Sequence, residues 1–361
     1  MSKRKWLTVV VPVGAVLLGV VAWAAWPGET KQAKLGGIQV PASVTPSAAG
    51  PSTADPGTLP EPMPESAVLA PGRPKVPTHG VYVGAWVQPT PYSQPGRVAA
   101  VRSFEGSVGR PLDIVGLYRK VNDPFPTESD HILARNAILQ LSWASPDILE
   151  VNDGRHDALF QAKAAAVKKF AKPVLLRWRW EMDRPNLRSV VHQPADFVRA
   201  WQRVHRIFAE AGASNVGWIW CPTAQGFADG RAQRYYPGDD QVDWLCADVY
   251  PEKAWVKGGY EPFGALADPF VKWAAARGKP IVIGEFGVAE SYAGRRADWL
   301  RAMATYVKAH PQIKALVYYA ESRPESPPYY RFHLNGDPTA TAALAETAAQ
   351  PYFDPMRRAG G

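Results

Sequence analysis

The order of apolar runs along the chain is the feature that most restricts its fold. Eight short runs rich in β-branched and aromatic residues lie at 81–87, 112–118, 137–143, 172–180, 215–221, 242–250, 279–287 and 313–320. Helical patterns separate several of them, at 155–171, 194–211, 262–277, 295–309 and 338–349. Strands that are apolar throughout and alternate with helices predict an α/β protein, a (β/α)8 TIM barrel. A doubly wound open sheet is the alternative.

The beginning of the chain differs in composition from the rest. Residues 6–26 contain no charged side chain and follow the basic stretch MSKRK. Because about 20 apolar residues can span a bilayer, we predict a signal anchor within residues 1–26. A cleaved signal peptide is the alternative, since Ala22 and Ala24 form an A-x-A pattern. Either one places the rest of the chain outside the cytoplasm, in the periplasm or at the cell surface.

Residues 27–78 are rich in Pro, Ala and Ser and contain no aromatic residue. Such a segment buries too little apolar surface to fold, so we predict a disordered linker there and a folded domain at 79–361. The formal net charge is +8, but Lys and Arg are scattered rather than gathered in a stripe. This distribution predicts no nucleic-acid partner. We expect a monomer that contacts the membrane only through its N-terminal segment if that segment is not cleaved.

The chain contains two cysteines, Cys221 and Cys246, near the ends of two neighbouring predicted strands. Two buried thiols and a single disulfide are both consistent with this placement, and an exported domain would allow the disulfide. Neither cysteine belongs to a CxxC motif, and the histidines show no HxH or HExxH spacing. We therefore expect neither a metal site nor a cofactor.

Two glutamates occupy the ends of apolar runs. Glu181 ends LLRWRWE and Glu285 ends KPIVIGE, after the fourth and in the seventh predicted strands. In a barrel, the side chains at the carboxyl ends of the strands carry the chemistry, so these two carboxylates would face each other across the mouth. A retaining glycosidase needs such a pair. The alternative for Glu285 is a cap or an arginine pair, and for Glu181 an ion pair with Arg177 or Arg179.

Three segments resemble glycoside hydrolase family 26: RWRWEMDRP at 177–185, YYPGDDQVDWLCADVY at 235–250 and KPIVIGEFG at 279–287. The family comprises β-mannanases and β-glucanases of the retaining barrel clan A. The resemblance implies that Glu181 is the general acid/base and Glu285 the nucleophile. It also matches Tyr250 to a tyrosine that hydrogen-bonds the nucleophile, and Arg177 to a supporting arginine. For Asp248, binding of a sugar hydroxyl and a structural acceptor role both remain open.

One position departs from the family pattern. Trp180 replaces the histidine that usually precedes the acid/base glutamate, giving WEM in place of HEM. An indole has one N–H donor and a large apolar face, so a substrate preference taken from mannanases is uncertain here. Sugar rings bind on flat aromatic side chains. Aromatic residues near strand ends are the candidates, and we expect about half of them to contact substrate: Trp86, Trp143, Trp180, Trp220, Tyr250 and Tyr319.

These features predict a retaining endo-β-glycanase that hydrolyses a β-linked polysaccharide of the β-mannan or β-glucan type by double displacement. The alternative is a catalytically weak or inactive polysaccharide-binding or envelope-assembly protein on the same barrel. A barrel lyase or aldolase is disfavoured, because these enzymes usually rely on a lysine or a metal at the mouth and no predicted strand ends in a suitably placed lysine.

Overall fold

The computed structural model describes residues 69–251, 260–321 and 327–358. Its strands are β1 (Tyr82–Val87), β2 (Ile114–Lys120), β3 (Ile138–Ala144), β4 (Val174–Trp178), β5 (Val216–Trp220), β6 (Trp244–Val249), β7 (Ile281–Phe286) and β8 (Ile313–Ala320). Neighbouring strands pair in parallel, and β8 pairs with β1, so the sheet closes in sequence order. The predicted (β/α)8 barrel is confirmed. The doubly wound alternative is wrong, because an open sheet would leave two edges unpaired.

Helices connect the strands. In the described ranges the longer helices are Gln94–Val108, Asp157–Phe170, Pro194–Glu210, Phe263–Ala275, Arg296–Ala309 and Pro338–Ala348. The shorter ones are Glu128–Leu133, Ile148–Asn152, Arg188–Val191, Ala224–Ala228 and Pro355–Arg358. All five predicted helices form within two residues of their predicted bounds. The helix Gln94–Val108 was not predicted. It begins at Ser93, whose side chain accepts a hydrogen bond from Gly96 N–H, and ends at Gly109 with a left-handed φ of 77°.

Alternation along the strands produces two cores. One fills the barrel interior and includes Tyr82, Ile114, Ile138, Leu175, Ile219 and Val282. The other, the outer core, lies between the strands and the helices and includes Leu139, Leu176, Trp178, Trp201, Phe270 and Trp299. Because both faces of each strand are buried, the strands are apolar throughout, as the sequence runs indicated. Side chains of the interior face that reach the carboxyl ends of the strands are left to line the mouth.

The folded domain begins before the predicted boundary at residue 79. Leu69 is 1% exposed and packs with the core of the barrel interior. Arg73 forms an ion pair with Asp243 at 2.8 Å. The predicted linker is therefore wrong for residues 69–78, because a composition averaged over the whole segment hides one leucine that is buried.

The predicted anchor at 1–26 and the linker as far as residue 68 lie outside the described residues. Among the helices that the structure does describe, none has both the length and the apolar character needed to cross a bilayer.

Candidate active site

Glu181 and Glu285 meet at the mouth of the barrel. Glu285 lies in β7 and is 4% exposed, and Glu181 lies three residues beyond β4 and is 7% exposed. One carboxylate oxygen from each, together with one from Asp248, lie within 4.8 Å of one another. The pairing across the mouth that strand order predicted is therefore present in the structure.

A β-bulge turns Glu285 toward the mouth. Ile283 and Phe286 both pack in the outer core. In a strand with strict alternation a single inward residue separates two successive outward residues, whereas here both Gly284 and Glu285 lie between them. The pairing of β7 shifts its register here against β6 and β8, and Gly284 is the extra residue. A Cβ on Gly284 would lie 2.4 Å from Cys246 Sγ and 2.9 Å from Asp248 Oδ1, so only glycine fits.

Three donors hold the Glu285 carboxylate. Tyr250 Oη donates to Oε2 at 2.9 Å. Tyr118 Oη and Arg177 Nη2 both donate to Oε1. Burial raises the pKa of both phenols well above the usual value, and the charge of Glu285 adds to the rise. The tyrosines therefore stay protonated and act as donors, which favours an ionised and aligned Glu285.

Arg177 joins two carboxylates from the centre of the barrel. Its Nη1 donates to both oxygens of Asp248 at 2.7 and 2.9 Å, and its Nε donates to Ser142 Oγ at 2.8 Å. Burial opposes its charge, but the neighbouring Asp248, Tyr118 and Glu285 raise its pKa well above the usual value. Burial also raises the pKa of Asp248, while Arg177 lowers it. These contacts favour a structural acceptor role for Asp248, which positions Arg177.

Glu181 is placed by a tight turn after β4. Arg179 and Glu181 have left-handed φ values of 49° and 52°, and Glu181 N–H donates to Cys221 O at 2.7 Å. The carboxylate accepts two hydrogen bonds from Arg184, from Nε at 2.6 Å and from Nη2 at 2.7 Å. The alternative partners for Glu181 were Arg177 and Arg179, whereas Arg184 is the arginine that binds it.

Cys221 and Cys246 form a disulfide beneath these carboxylates. Cys221 Sγ lies 3.2 Å from Asp248 Oδ1 and 3.7 Å from Arg177 Nη1. Of the two states that the sequence left open, the structure has the disulfide. It ties the end of β5 to β6 directly below the charged cluster.

Four of the six candidate aromatic residues lie at the mouth. Trp86 stacks on Tyr319 with ring centroids 4.5 Å apart, and Trp180 packs edge-on against Tyr118 at 5.2 Å. Tyr250 and Tyr319 are also in edge contact. Phe332, from the segment after β8, packs against Tyr250 at 5.0 Å. Contact between these side chains and a sugar stays a prediction.

Trp143 and Trp220 do not reach the mouth. Both are fully buried in the outer core, where Trp143 packs against Phe125 and Trp220 donates its Nε1–H to Tyr235 O at 3.0 Å. The prediction for these two is wrong, because each occupies an outward position of its strand. In β3, for example, the inward position next to Trp143 belongs to Ser142, which contacts Arg177.

Sequence reasoning missed Tyr118, Ser142 and Arg184. Tyr118 lies near the end of β2, and a polar group in an otherwise apolar run was the available signal. Arg184 follows Glu181 by three residues, a spacing that allows a local ion pair but does not require one. Ser142 carried no sequence signal.

The oxygens of Glu181, Asp248 and Glu285 are the kind of ligands that a hard divalent cation takes. In this chain guanidinium groups already occupy them. Arg177 binds Asp248 and Glu285, and Arg184 binds both oxygens of Glu181. The donor set therefore suits two arginines better than a metal ion.

A (β/α)8 barrel with two buried glutamates facing each other after its fourth strand and in its seventh has the construction of a glycoside hydrolase. Part of the chain matches glycoside hydrolase family 26. The model of Glycosyl hydrolase family 26 matches residues 173–316, a range that includes both glutamates, Arg177, Asp248 and Tyr250.

The chain is also similar to curated proteins. The chain is 25% identical to Endoglucanase H of Acetivibrio thermocellus over 283 residues, which cover 74% of this chain and 30% of that protein. It is 26% identical to Beta-1,3-xylanase TXYA of a Vibrio species over 210 residues, covering 52% of this chain and 42% of the relative. The chain thus spans less than half the length of these relatives.

A solved structure shares the fold. The family 26 β-mannanase of Bacteroides ovatus superposes with a TM-score of 0.58 at 14% identity, covering 76% of this chain and 90% of the mannanase.

Proposed function

We propose that the chain is a retaining endo-β-glycanase that hydrolyses a β-linked polysaccharide by double displacement. Glu285 attacks the anomeric carbon and forms a glycosyl-enzyme intermediate. Glu181 first protonates the leaving oxygen as an acid and then activates water as a base.

The separation of the two carboxylates carries the proposal. Retaining enzymes hold their carboxyl groups about 5–5.5 Å apart, whereas inverting enzymes need about 6.5–9.5 Å to admit a water molecule. One oxygen of Glu181 and one of Glu285 lie within 4.8 Å of each other, which is shorter than the separation that inverting enzymes use. The spacing supports direct attack by Glu285.

The environments of the two glutamates support different roles. Glu285 receives three donors and so is suited to remain an anion. Glu181 follows Trp180, and the guanidinium carbon of Arg177 lies over the Trp180 ring, 5.4 Å from the ring centroid. To act as an acid, Glu181 must carry a proton, and the bidentate contact from Arg184 stabilises its charged form. The Arg184 side chain is 29% exposed, which gives it room to move when substrate enters.

The same ion pair favours a second candidate function. If Arg184 keeps Glu181 charged with substrate bound, the protein would bind a polysaccharide without cleaving it efficiently. Incubating the full-length chain with β-mannan, β-glucan, β-1,3-xylan and native envelope polysaccharides, followed by reducing-end detection, separates the two functions. If the chain binds a polymer but produces new reducing ends on none of them, the result would support the non-catalytic function.

Single substitutions test the two roles. Glu285→Ala should abolish hydrolysis of all substrates. Glu181→Ala should abolish hydrolysis of the polysaccharide but spare aryl glycosides, whose leaving groups need little protonation. Glu346→Ala is the matched control, because this glutamate lies on the helix Pro338–Ala348 and its side chain is 57% exposed. Full activity of Glu285→Ala would refute the assignment.

The stereochemistry of the first product tests the retaining mechanism. Proton NMR of the fresh product should show the β-anomer, with the α-anomer appearing only by later mutarotation. The α-anomer appearing first would indicate an inverting enzyme.

The setting outside the cytoplasm is also a proposal. The uncharged stretch at 6–26 after MSKRK supports an N-terminal anchor or a cleaved signal. Fractionation of cells expressing the full-length chain, with an N-terminal and a C-terminal tag, distinguishes them. Both tags in the membrane fraction indicate an anchor, and loss of the N-terminal tag indicates cleavage.

A further inference from the structure

Arg179 is a buried cation that has no hydrogen-bond partner for its side chain among the described residues. Its side chain lies in the turn between β4 and Glu181 and the residue is 8% exposed. Its Nε is enclosed and donates to no acceptor, and its terminal nitrogens make no hydrogen bond to any of the described residues. The terminal nitrogens do not belong to the fully enclosed atoms without a partner, so they keep some contact with solvent.

The other buried arginines in the described ranges all have acceptors. Arg119 pairs with Asp130, Arg177 with Asp248 and Glu285, and Arg296 with Asp337 and three backbone carbonyls. A guanidinium has five donors and is costly to bury unless they are used. Burial lowers the pKa of Arg179 to about 10, and the charge of Glu181 only partly offsets this. In the part of the chain that the structure describes, no hydrogen-bond acceptor therefore compensates the positive charge of Arg179.

The position of Arg179 is fixed beside the reacting groups. Its N–H donates to Trp143 O at 2.8 Å, and two residues later Glu181 N–H is bonded to Cys221 O. The left-handed φ of 49° at Arg179 is uncommon for a residue other than glycine and is maintained by these two bonds. When Glu181 takes up the proton that an acid catalyst needs, Arg179 loses the negative charge that, among the described residues, favours its charged form.

We propose that Arg179 binds an anionic substituent of the glycan, the carboxylate of a uronic acid residue, next to the sugar whose glycosidic oxygen Glu181 protonates. The inference rests on the proposed function, since it names the substrate class of the same site. A guanidinium presents its donors in a planar fork that matches a carboxylate in bidentate geometry. The substrate thus supplies the acceptor that the described residues do not provide.

A matched pair of polymers tests this. One is a β-1,4-linked polyglucuronate, and the other is the same polymer after reduction of its carboxyl groups to neutral alcohols. A buried hydrogen bond between charged groups changes binding by roughly 10- to 150-fold. The full-length wild-type chain should favour the polyuronate by that factor in kcat/KM. Equal rates on the two polymers would overturn the inference.

Arg179→Met removes the charge and keeps the length of the side chain. It should lose the preference for the polyuronate. It should also raise the midpoint of thermal unfolding by about 2–4 °C, because it removes a buried unpaired charge. Arg119→Met is the control for stability. It should lower the midpoint, since it leaves Asp130 buried without its cation. An unchanged preference in Arg179→Met would overturn the inference.

Two further measurements distinguish a failure of the proposed hydrolase function from a failure of the role given to Arg179. If no polymer is cleaved, the proposed function fails, but calorimetric binding of oligoglucuronates to the wild-type chain and to Arg179→Met still decides the inference. Binding by wild type that is lost in Arg179→Met supports it, and equal or absent binding overturns it. The reduced polymer carrying sulfate esters is the third ligand, and a preference for it over the polyuronate would overturn the assignment of a carboxylate.

Discussion

Tyr250→Phe tests how much the chain depends on the alignment of Glu285. Tyr250 is the donor to Oε2 among the described residues, at 2.9 Å, and it is 8% exposed. A hydrogen bond to a charged group contributes about 1.5–3 kcal/mol, and about 1.4 kcal/mol corresponds to a factor of ten. We therefore expect kcat/KM to fall by roughly 10- to 150-fold, with the fold intact.

Tyr118→Phe should cost less activity than Tyr250→Phe. Tyr118 donates to Oε1, and Arg177 donates to the same oxygen, so the carboxylate keeps one donor there. This ranking comes from the geometry of the two carboxylate oxygens. A larger loss in Tyr118→Phe than in Tyr250→Phe would refute it.

The assay is initial-rate hydrolysis of whichever polymer the wild type cleaves, with thermal unfolding measured on the same preparations. Tyr318→Phe is the control, because this buried phenol also donates a hydrogen bond, to Phe332 O at 2.6 Å, but belongs to the outer core. It should lose about 1 kcal/mol of unfolding free energy and keep its activity. Full activity of Tyr250→Phe, or an equal loss in Tyr318→Phe, would refute the role given to Tyr250.

Three further predictions follow from the surroundings of the site. Reduction of the Cys221–Cys246 disulfide, which spans 25 residues, should lower the free energy of unfolding by about 3.5 kcal/mol, and an unchanged urea midpoint in reductant would contradict the bridge. Gly284→Ala should destabilise the fold by about 1–3 kcal/mol in urea unfolding and reduce activity, because its Cβ would collide with the disulfide, whereas Gly106→Ala meets open space and should not destabilise. Burial raises the pKa of Asp183 above its usual 3.8, so the folded chain keeps this proton to a higher pH than the unfolded chain does. The free energy of unfolding of the wild type, measured in urea relative to Asp183→Asn, should therefore fall as the pH rises above 3.8. A relative free energy of unfolding that rises with pH would contradict the raised pKa.

The local pattern of the chain was sufficient for the fold. Each strand of the barrel is buried on both faces, so it appears in the sequence as an apolar run, and the helices between strands show their own periodicity. A closed parallel barrel is the arrangement that buries eight such strands without leaving an edge. Strand order then placed Glu181 and Glu285 across one mouth, because the carboxyl ends of parallel strands lie on the same side.

The same property hid which side chains face the mouth. When both faces of a strand are apolar, alternation does not reveal which face is the interior, so Trp143 and Trp220 could not be told apart from Trp86. Glu285 points inward only because a bulge adds Gly284 to β7, and a bulge depends on pairing with the neighbouring strands.

The sequence by itself therefore determined the barrel, the two glutamates and their order, since these depend on composition and spacing along the chain. Only the tertiary structure decided the charges around them. In the tertiary structure, Arg177 joins Glu285 to Asp248, and Arg184 makes a bidentate contact with Glu181. The guanidinium of Arg179 has no acceptor among the described residues. The contacts of Arg177 arise because segments far apart in sequence meet at the mouth, and no local pattern encodes them. The pair of Arg184 with Glu181 is local, but its three-residue spacing allows the contact without requiring it.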